Sequence, residues 1–185
     1  ELAYGRVAIG SVKAFAIAHV QAPAMEFHIH GEGSAKPELE RLVRELGLEG
    51  KVLLNAPLPL REIASIMANA DLGVVPKRND SFGGEAFSTK ILEFMALGVP
   101  VLVADTRIDR HYFNDTLLRF FPSSDVDALA RAMVDAYRQR EAGAALAANA
   151  LVYVRENSWG TKKHDYLSVV RRLVGAKEEG AGAAN

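Results

Sequence analysis

What most restricts this chain is an alternation along its length. Short apolar runs, each closed by Gly or Pro, are separated by amphipathic stretches of helical length. Parallel strands need a crossover between them, and a helix is the usual crossover. The alternation therefore predicts βαβ units on a parallel sheet covered by helices on both faces. The expected fold class is α/β, a three-layer, doubly wound parallel sheet. Ligands of such folds bind beyond the carboxyl ends of the strands.

Element by element, residues 4–20 read as mostly helical, with Val12, Phe15, Ala16 and His19 on neighbouring turns and Pro23 closing the end. Residues 25–30 alternate and stop at Gly31-Glu32-Gly33, a strand followed by a glycine turn. Pro37 opens a helix in its first turn, Leu39, Leu42, Val43 and Leu46 form the stripe, and Gly47 is placed to end it. Residues 52–54 read as a buried strand, 60–69 as a small helix through Ile63, Ile66 and Met67, and 72–75 as the next strand. A polar loop over 77–85 leads into a helix over 88–97 that Gly98 terminates, and an apolar strand spans 99–104. A last short strand is expected over 117–121, then helices over 125–141, 144–156 and 162–174, with Asp125 as N-cap of the first. The small, polar remainder over 176–185 is expected to be disordered.

Composition excludes more than it selects. A chain of 185 residues fits one domain with a single core. The formal net charge of −1 creates no field for nucleic acid, so no nucleic-acid partner is expected and anion recognition must be local. With no cysteine, disulfides and thiolate metal sites are excluded, which suits a reducing, cytoplasmic location. No apolar run approaches the roughly 18 residues that a membrane span needs. The opening Glu1-Leu2-Ala3-Tyr4-Gly5-Arg6 has no signal-peptide layout, and the lack of an initiator Met leads to the expectation of a partial chain.

Residues 70–104 carry the chemistry. They read strand, loop, helix, strand, with Glu85 in the loop and Glu93 in the second helical turn, so that both can face one crevice at the carboxyl edge of the sheet. Between them lie the amides of Phe87, Ser88 and Thr89 at the helix N-terminus, which have no intrahelical partners and sit at the positive end of the macrodipole. Such amides donate to phosphate oxygens, and the flanking carboxylates accept from sugar hydroxyls. Each carboxylate–hydroxyl bond contributes roughly 1.5–3 kcal/mol in a shielded site.

The two glutamates are separated by seven residues, with Phe87 two after the first and Met95-Ala96-x-Gly98-x-Pro100-Val101 after the second. Together with Ala70-Asp71-Leu72-Gly73-Val74-Val75-Pro76 ahead of them, this resembles the retaining GT-B glycosyltransferases of family 4. The likeness runs from about Phe27 to Leu173 and takes in Gly31-x-Gly33 and Asn157-Ser158-Trp159. It implies the Rossmann-like C-terminal half of a GT-B fold, a donor-binding domain over 1–175. It further implies that Glu85 faces the transferred hexose as the catalytic position and that Glu93 holds the donor ribose. The backbone of Phe87, Ser88 and Thr89 would meet the diphosphate, Gly31 and Gly33 would line the site, and the base would sit against residues 55–58, including Ala56 and Leu58, near Ile63. No cofactor and no metal are implied. The partners implied are a nucleotide-diphosphate sugar and an N-terminal acceptor-binding domain, through which any peripheral membrane contact would come. A product in surface polysaccharide or glycolipid synthesis follows by the same analogy.

The family's basic pair after the first strand of this domain has no clear counterpart. Arg6 and Lys13 are spaced poorly, and Lys77, Arg78 and Lys90 are the other candidates to supply charge. Lys90 is notable because a cation is disfavoured in a first helical turn. His28 and His30 share a strand face but lack a third ligand, Trp159 reads as core packing, and Asp105, Arg107, Asp109 and Arg110 follow a strand end, where they could line the cleft but read rather as a solvated loop with ion pairs. A non-catalytic nucleotide-diphosphate-binding module is the alternative that the weak basic pair favours.

Overall fold

A computed structural model describes the backbone of residues 5–81 and 83–182 and the side chains of residues 7–81 and 83–174. The side chain of Arg6 and the side chains of the expected tail lie outside these. The elements are α1 (Gly5–Gln21), β1 (Phe27–His30), α2 (Lys36–Glu45), β2 (Val52–Asn55), α3 (Leu60–Ala68), β3 (Gly73–Val75) and α4 (Thr89–Ala96). They continue with β4 (Val101–Asp105), α5 (Arg107–Tyr112), β5 (Arg119–Pro122), α6 (Val126–Arg138), α7 (Arg140–Glu156) and α8 (Trp159–Gly182).

The α/β architecture holds, and all strand pairs are parallel. Hydrogen bonding divides the strands into two ladders, β1-β2 and β3-β4-β5. One apolar cluster nevertheless spans both, holding Ile29 of β1, Leu54 of β2, Val74 of β3 and Leu102 of β4.

β4 explains the layering. Its side chains alternate between faces, as any strand's must. Leu102 and Ala104 join the cluster that contains Val12 and Phe15 of α1, Leu39 of α2, and Leu129 and Met133 of α6. Val101 and Val103 join a second cluster with Ile91 and Met95 of α4, Phe113, and Ala150 of α7. A strand covered on both faces is a continuous apolar run, and this one reads Val-Leu-Val-Ala. Burying each large side chain of this kind contributes about 1.5–3 kcal/mol.

Local chemistry sets most boundaries. Asp125 caps α6, its carboxylate accepting from the Ala128 amide at 2.8 Å. After α4, Gly98 takes φ 71°, a conformation that a side chain would strain. β4 starts at Val101 and not at residue 99. Pro100 has no amide to donate, and its carbonyl instead receives the Gly73 amide at 2.8 Å.

Three expectations need correction. Residues 107–112, read as solvated loop, form α5, because Thr106 caps it by accepting from the Asp109 amide. The closing helix begins at Trp159 and its backbone continues to Gly182, past the limit expected at 174. Trp159 itself is not core: it is 65% exposed and packs on the Tyr166 ring, about two turns along its own helix.

Candidate functional site

The carboxyl end of β3 leads through Pro76 into a tight turn built on Asp80. The Asp80 carbonyl accepts the Gly84 amide at 2.8 Å, and its carboxylate accepts the Gly83 amide at 2.6 Å. The backbone is so close here that a Cβ on Gly84 would lie 2.8 Å from both Asn79 Oδ1 and the Asp80 carbonyl oxygen. Only glycine fits. The Gly84 carbonyl in turn accepts the Ile108 amide of α5 at 3.2 Å.

This turn presents Glu85 to a hollow of about 420 Å³ lined by Glu85, Arg107, Ile108, Arg110 and His111. Glu85 Oε1 lies 3.4 Å from Arg107 Nη1, with both side chains well exposed, so the pair contributes little by itself. Arg110 is fully engaged. Its guanidinium bonds both oxygens of Asp105 at 3.1 and 2.9 Å and Asp115 at 2.8 Å, over the Phe120 ring at 3.6 Å. The hydrogen bond to Asp105 is the main cause raising its already high pKa, so it stays charged.

Beyond Glu85, the Phe87 ring packs edge-on against Tyr112 at 5.1 Å and tilted to Phe113 at 6.0 Å, with Tyr153 behind Phe113. Burial, and then the neighbouring Tyr112, raise the pKa of the Tyr153 phenol above its usual value, which keeps that phenol neutral. The aromatic ties anchor the chain where it enters α4. Ser88 is the N-cap residue in extended conformation without a side-chain cap bond, and no acid lies in the first turn. Among the described residues, the amides of Thr89 and Lys90 have no acceptor. Glu93 stands on the exposed face of α4, opposite buried Ile91 and Met95, and does not line the hollow. Lys90 is exposed.

A second group of expected residues collects at the ends of β1 and β2. Gly31 is buried at φ 146° and donates to the Asn55 carbonyl at 3.1 Å. The Gly33 carbonyl accepts the Lys36 amide and so opens α2. Ala56 and Leu58 are exposed after β2, and Ile63 is half-buried on α3, a helix that fully buries none of its residues. Asn55 Nδ2 and His30 Nε2 lie 3.4 Å apart, whereas exposed His28 faces Glu26 at 3.6 Å. Among the described residues no group of three or more His, Asp or Glu could hold a metal ion.

The largest departure concerns the basic candidates. Lys77 is not a free cation, since its ammonium meets Asp109 Oδ2 at 2.7 Å in a pair 11% and 0% exposed. Asp109 is therefore a buried anion and no solvated loop acid. Arg78 is paired with Asp80 at 3.1 Å. The missed residues left a signal in the sequence: Thr106-x-x-Asp109 has the spacing of a capping box.

Fold and site together define an α/β domain of parallel ladders with a polar hollow lined from the loop after β3 and from α5, and comparison with known proteins supplies the family. Residues 9–152 match the model of the glycosyl transferases group 1. The chain belongs to that family. It is 33% identical over 153 residues to the D-inositol 3-phosphate glycosyltransferase of Thermomonospora curvata, covering 80% of this chain and 33% of that protein. The matched stretch covers between 13% and 34% of the length of such curated relatives. Among solved structures, sucrose-phosphate synthase from Thermosynechococcus elongatus superposes with TM-score 0.77 at 20% identity, covering 90% of this chain and 43% of that one. The pneumococcal O-GlcNAc transferase GtfA, in complex with UDP and GlcNAc, gives 0.76 at 18% identity, covering 94% and 34%. These likenesses establish a GT-B glycosyltransferase fold. No helix among the described residues is long and apolar enough to cross a membrane.

Proposed function

We propose that this chain is the donor-binding part, over residues 1–175, of an enzyme that moves a hexose from a nucleotide-diphosphate sugar to an acceptor with retention. The observation that carries this is the Gly84–Glu85 turn, which sets a carboxylate at the rim of a hollow of about 420 Å³ shortly before a helix whose Thr89 and Lys90 amides have no acceptor among the described residues. Those amides and the helix dipole suit a diphosphate. Glu85 takes hydroxyls of the hexose. Glu93, four residues after Thr89 and on the same exposed face of α4, takes the ribose diol. The base lies toward Ala56, Leu58 and Ile63, and Gly31 and Gly33 let the backbone approach.

As the diphosphate leaves, its growing charge meets fixed donors that need no reorganisation, which is where catalysis gains most. Lys90 is the exposed cation nearest those amides in sequence. The acceptor is held by a separate N-terminal domain that also makes any peripheral membrane contact, and the product belongs to surface polysaccharide or glycolipid synthesis on the cytoplasmic side.

The test is calorimetric titration of the full-length protein with UDP- and GDP-sugars, for the native sequence and for Glu93→Gln. Donor affinity should fall about tenfold or more in the variant, the equivalent of one charge-assisted hydrogen bond. Unchanged affinity would remove Glu93 from the site. A non-catalytic nucleotide-diphosphate-binding module is the second reading, supported by the engagement of Lys77 with Asp109 in place of a phosphate. Donor binding without turnover in the full-length protein would select it.

A further inference from the structure

Asp109 is completely buried, on a helix of only six residues. Its Oδ2 accepts two short bonds, from Lys77 Nζ at 2.7 Å and from Thr106 Oγ1 at 2.6 Å, and Thr106 is itself 1% exposed. Oδ1 has no hydrogen-bond partner among the described residues. A buried carboxylate is costly unless paired, so Lys77 and Thr106 supply the whole compensation.

The pair also has a mechanical consequence. Lys77 follows β3 and Asp109 follows β4, and the Lys77 carbonyl accepts from Ser123 Oγ, just after β5, at 2.7 Å. The carboxyl ends of three strands are thus tied at one lysine. A helix as short as α5 has too few internal hydrogen bonds to hold its own place, so tertiary ties must set it. From that anchor α5 reaches back to the candidate site at three points. The Ile108 amide donates to the Gly84 carbonyl, Arg107 faces Glu85, and Tyr112 and Phe113 flank Phe87.

We propose that Asp109 and Lys77 are positioning residues for Glu85, their buried ion pair fixing α5 so that α5 holds the Gly84–Glu85 turn against the hollow. This rests on the donor-site reading for what Glu85 does. It adds that the geometry of Glu85 is set from a salt bridge that does not touch the donor. Lys77 in this arrangement acts through Asp109 and not on the diphosphate.

The experiment compares Asp109→Asn, Lys77→Met, Lys77→Arg, Glu85→Gln and the Glu85→Gln/Asp109→Asn double variant in the full-length protein, measuring transfer from UDP-glucose and GDP-mannose. Asp109→Asn and Lys77→Met should lower kcat about tenfold to a hundredfold, as displaced reacting groups do, with donor KM little changed. Lys77→Arg should recover most of what Lys77→Met loses. The double variant should be no slower than Glu85→Gln alone; multiplying losses would overturn the proposal, because Asp109 would then act independently of Glu85. Amide exchange supplies a readout for the chain itself: residues 84–88 should exchange faster in Lys77→Met than in Lys77→Arg, and native protection there would overturn it. If Glu85→Gln transfers normally, the reading of Glu85 fails. If Glu85→Gln is inactive while Asp109→Asn keeps native kcat, only the present proposal fails.

Discussion

The two ladders are built from the same βα unit and finish with unlike cores. β4 is buried along its first four residues, with alternate side chains in two separate apolar clusters. β1 and β2 contribute to one cluster only, through Phe27, Ile29, Val52 and Leu54. Their other face carries His28, His30, Leu53 and Asn55, none of them buried. The helix after β2, α3, buries nothing fully, and its Leu60 is 78% exposed. A parallel strand is normally covered on both faces, so β1-β2 is the half with less to lose on opening. The donor reading places the base on this lightly packed half and the diphosphate and hexose on the tightly packed one. On that reading the stronger core carries the groups whose positions must be most exact for chemistry.

That contrast can be broken at several levels. Leu102→Ala, in the doubly covered strand, should cost about 3–5 kcal/mol of unfolding free energy in denaturant titration. Asp109→Ala should fall in the same range, about 3–5 kcal/mol, because Lys77 is left buried without its counter-ion. Leu54→Ala, in the singly covered strand, should cost no more than about 2 kcal/mol, the lower end for such truncations. A loss equal to that of Leu102→Ala would erase the distinction between the ladders. Hydrogen exchange should sharpen it: amides of β1 and β2 should open before those of β4, and donor binding should slow β1 and β2 more, since it adds contacts where few exist. The smallest effect belongs to Arg140→Ala, which removes an exposed 3.4 Å contact with Asp71 and should change stability by about 0.5 kcal/mol or less.

Much of this was legible in the residues. The run of Val-Leu-Val-Ala announced a strand covered twice, whereas β1, expected in a sheet covered on both faces, sends only Phe27 and Ile29 into an apolar cluster. Pro37, Gly98 and Asp125 marked helix ends that the structure shows at or beside those positions. Of the candidate site, the residues showed two acids around a helix start, but not that Glu93 stands outside the hollow that Glu85 lines. The role of α5 was not legible. Its cap, Thr106-x-x-Asp109, is a short signal, and Asp105, Arg107 and Arg110 around it have the composition of a surface loop. Trp159 was misread for a related reason, since an aromatic residue is more often buried and nothing local says that no neighbour covers this one.

What the sequence by itself determined were the features whose causes lie within a turn or two of chain. These are the order of strands and helices apart from α5, the glycine and proline stops, the Asp125 cap, and the setting of Glu85 before α4. Only the tertiary structure decided which segments meet. It paired Lys77 with Asp109 across 32 positions of sequence, brought Ile108 onto Gly84, and left one face of β1-β2 outside both apolar clusters. Propensity and capping depend on near neighbours, whereas the state of a buried charge depends on whichever distant side chain the fold delivers to it.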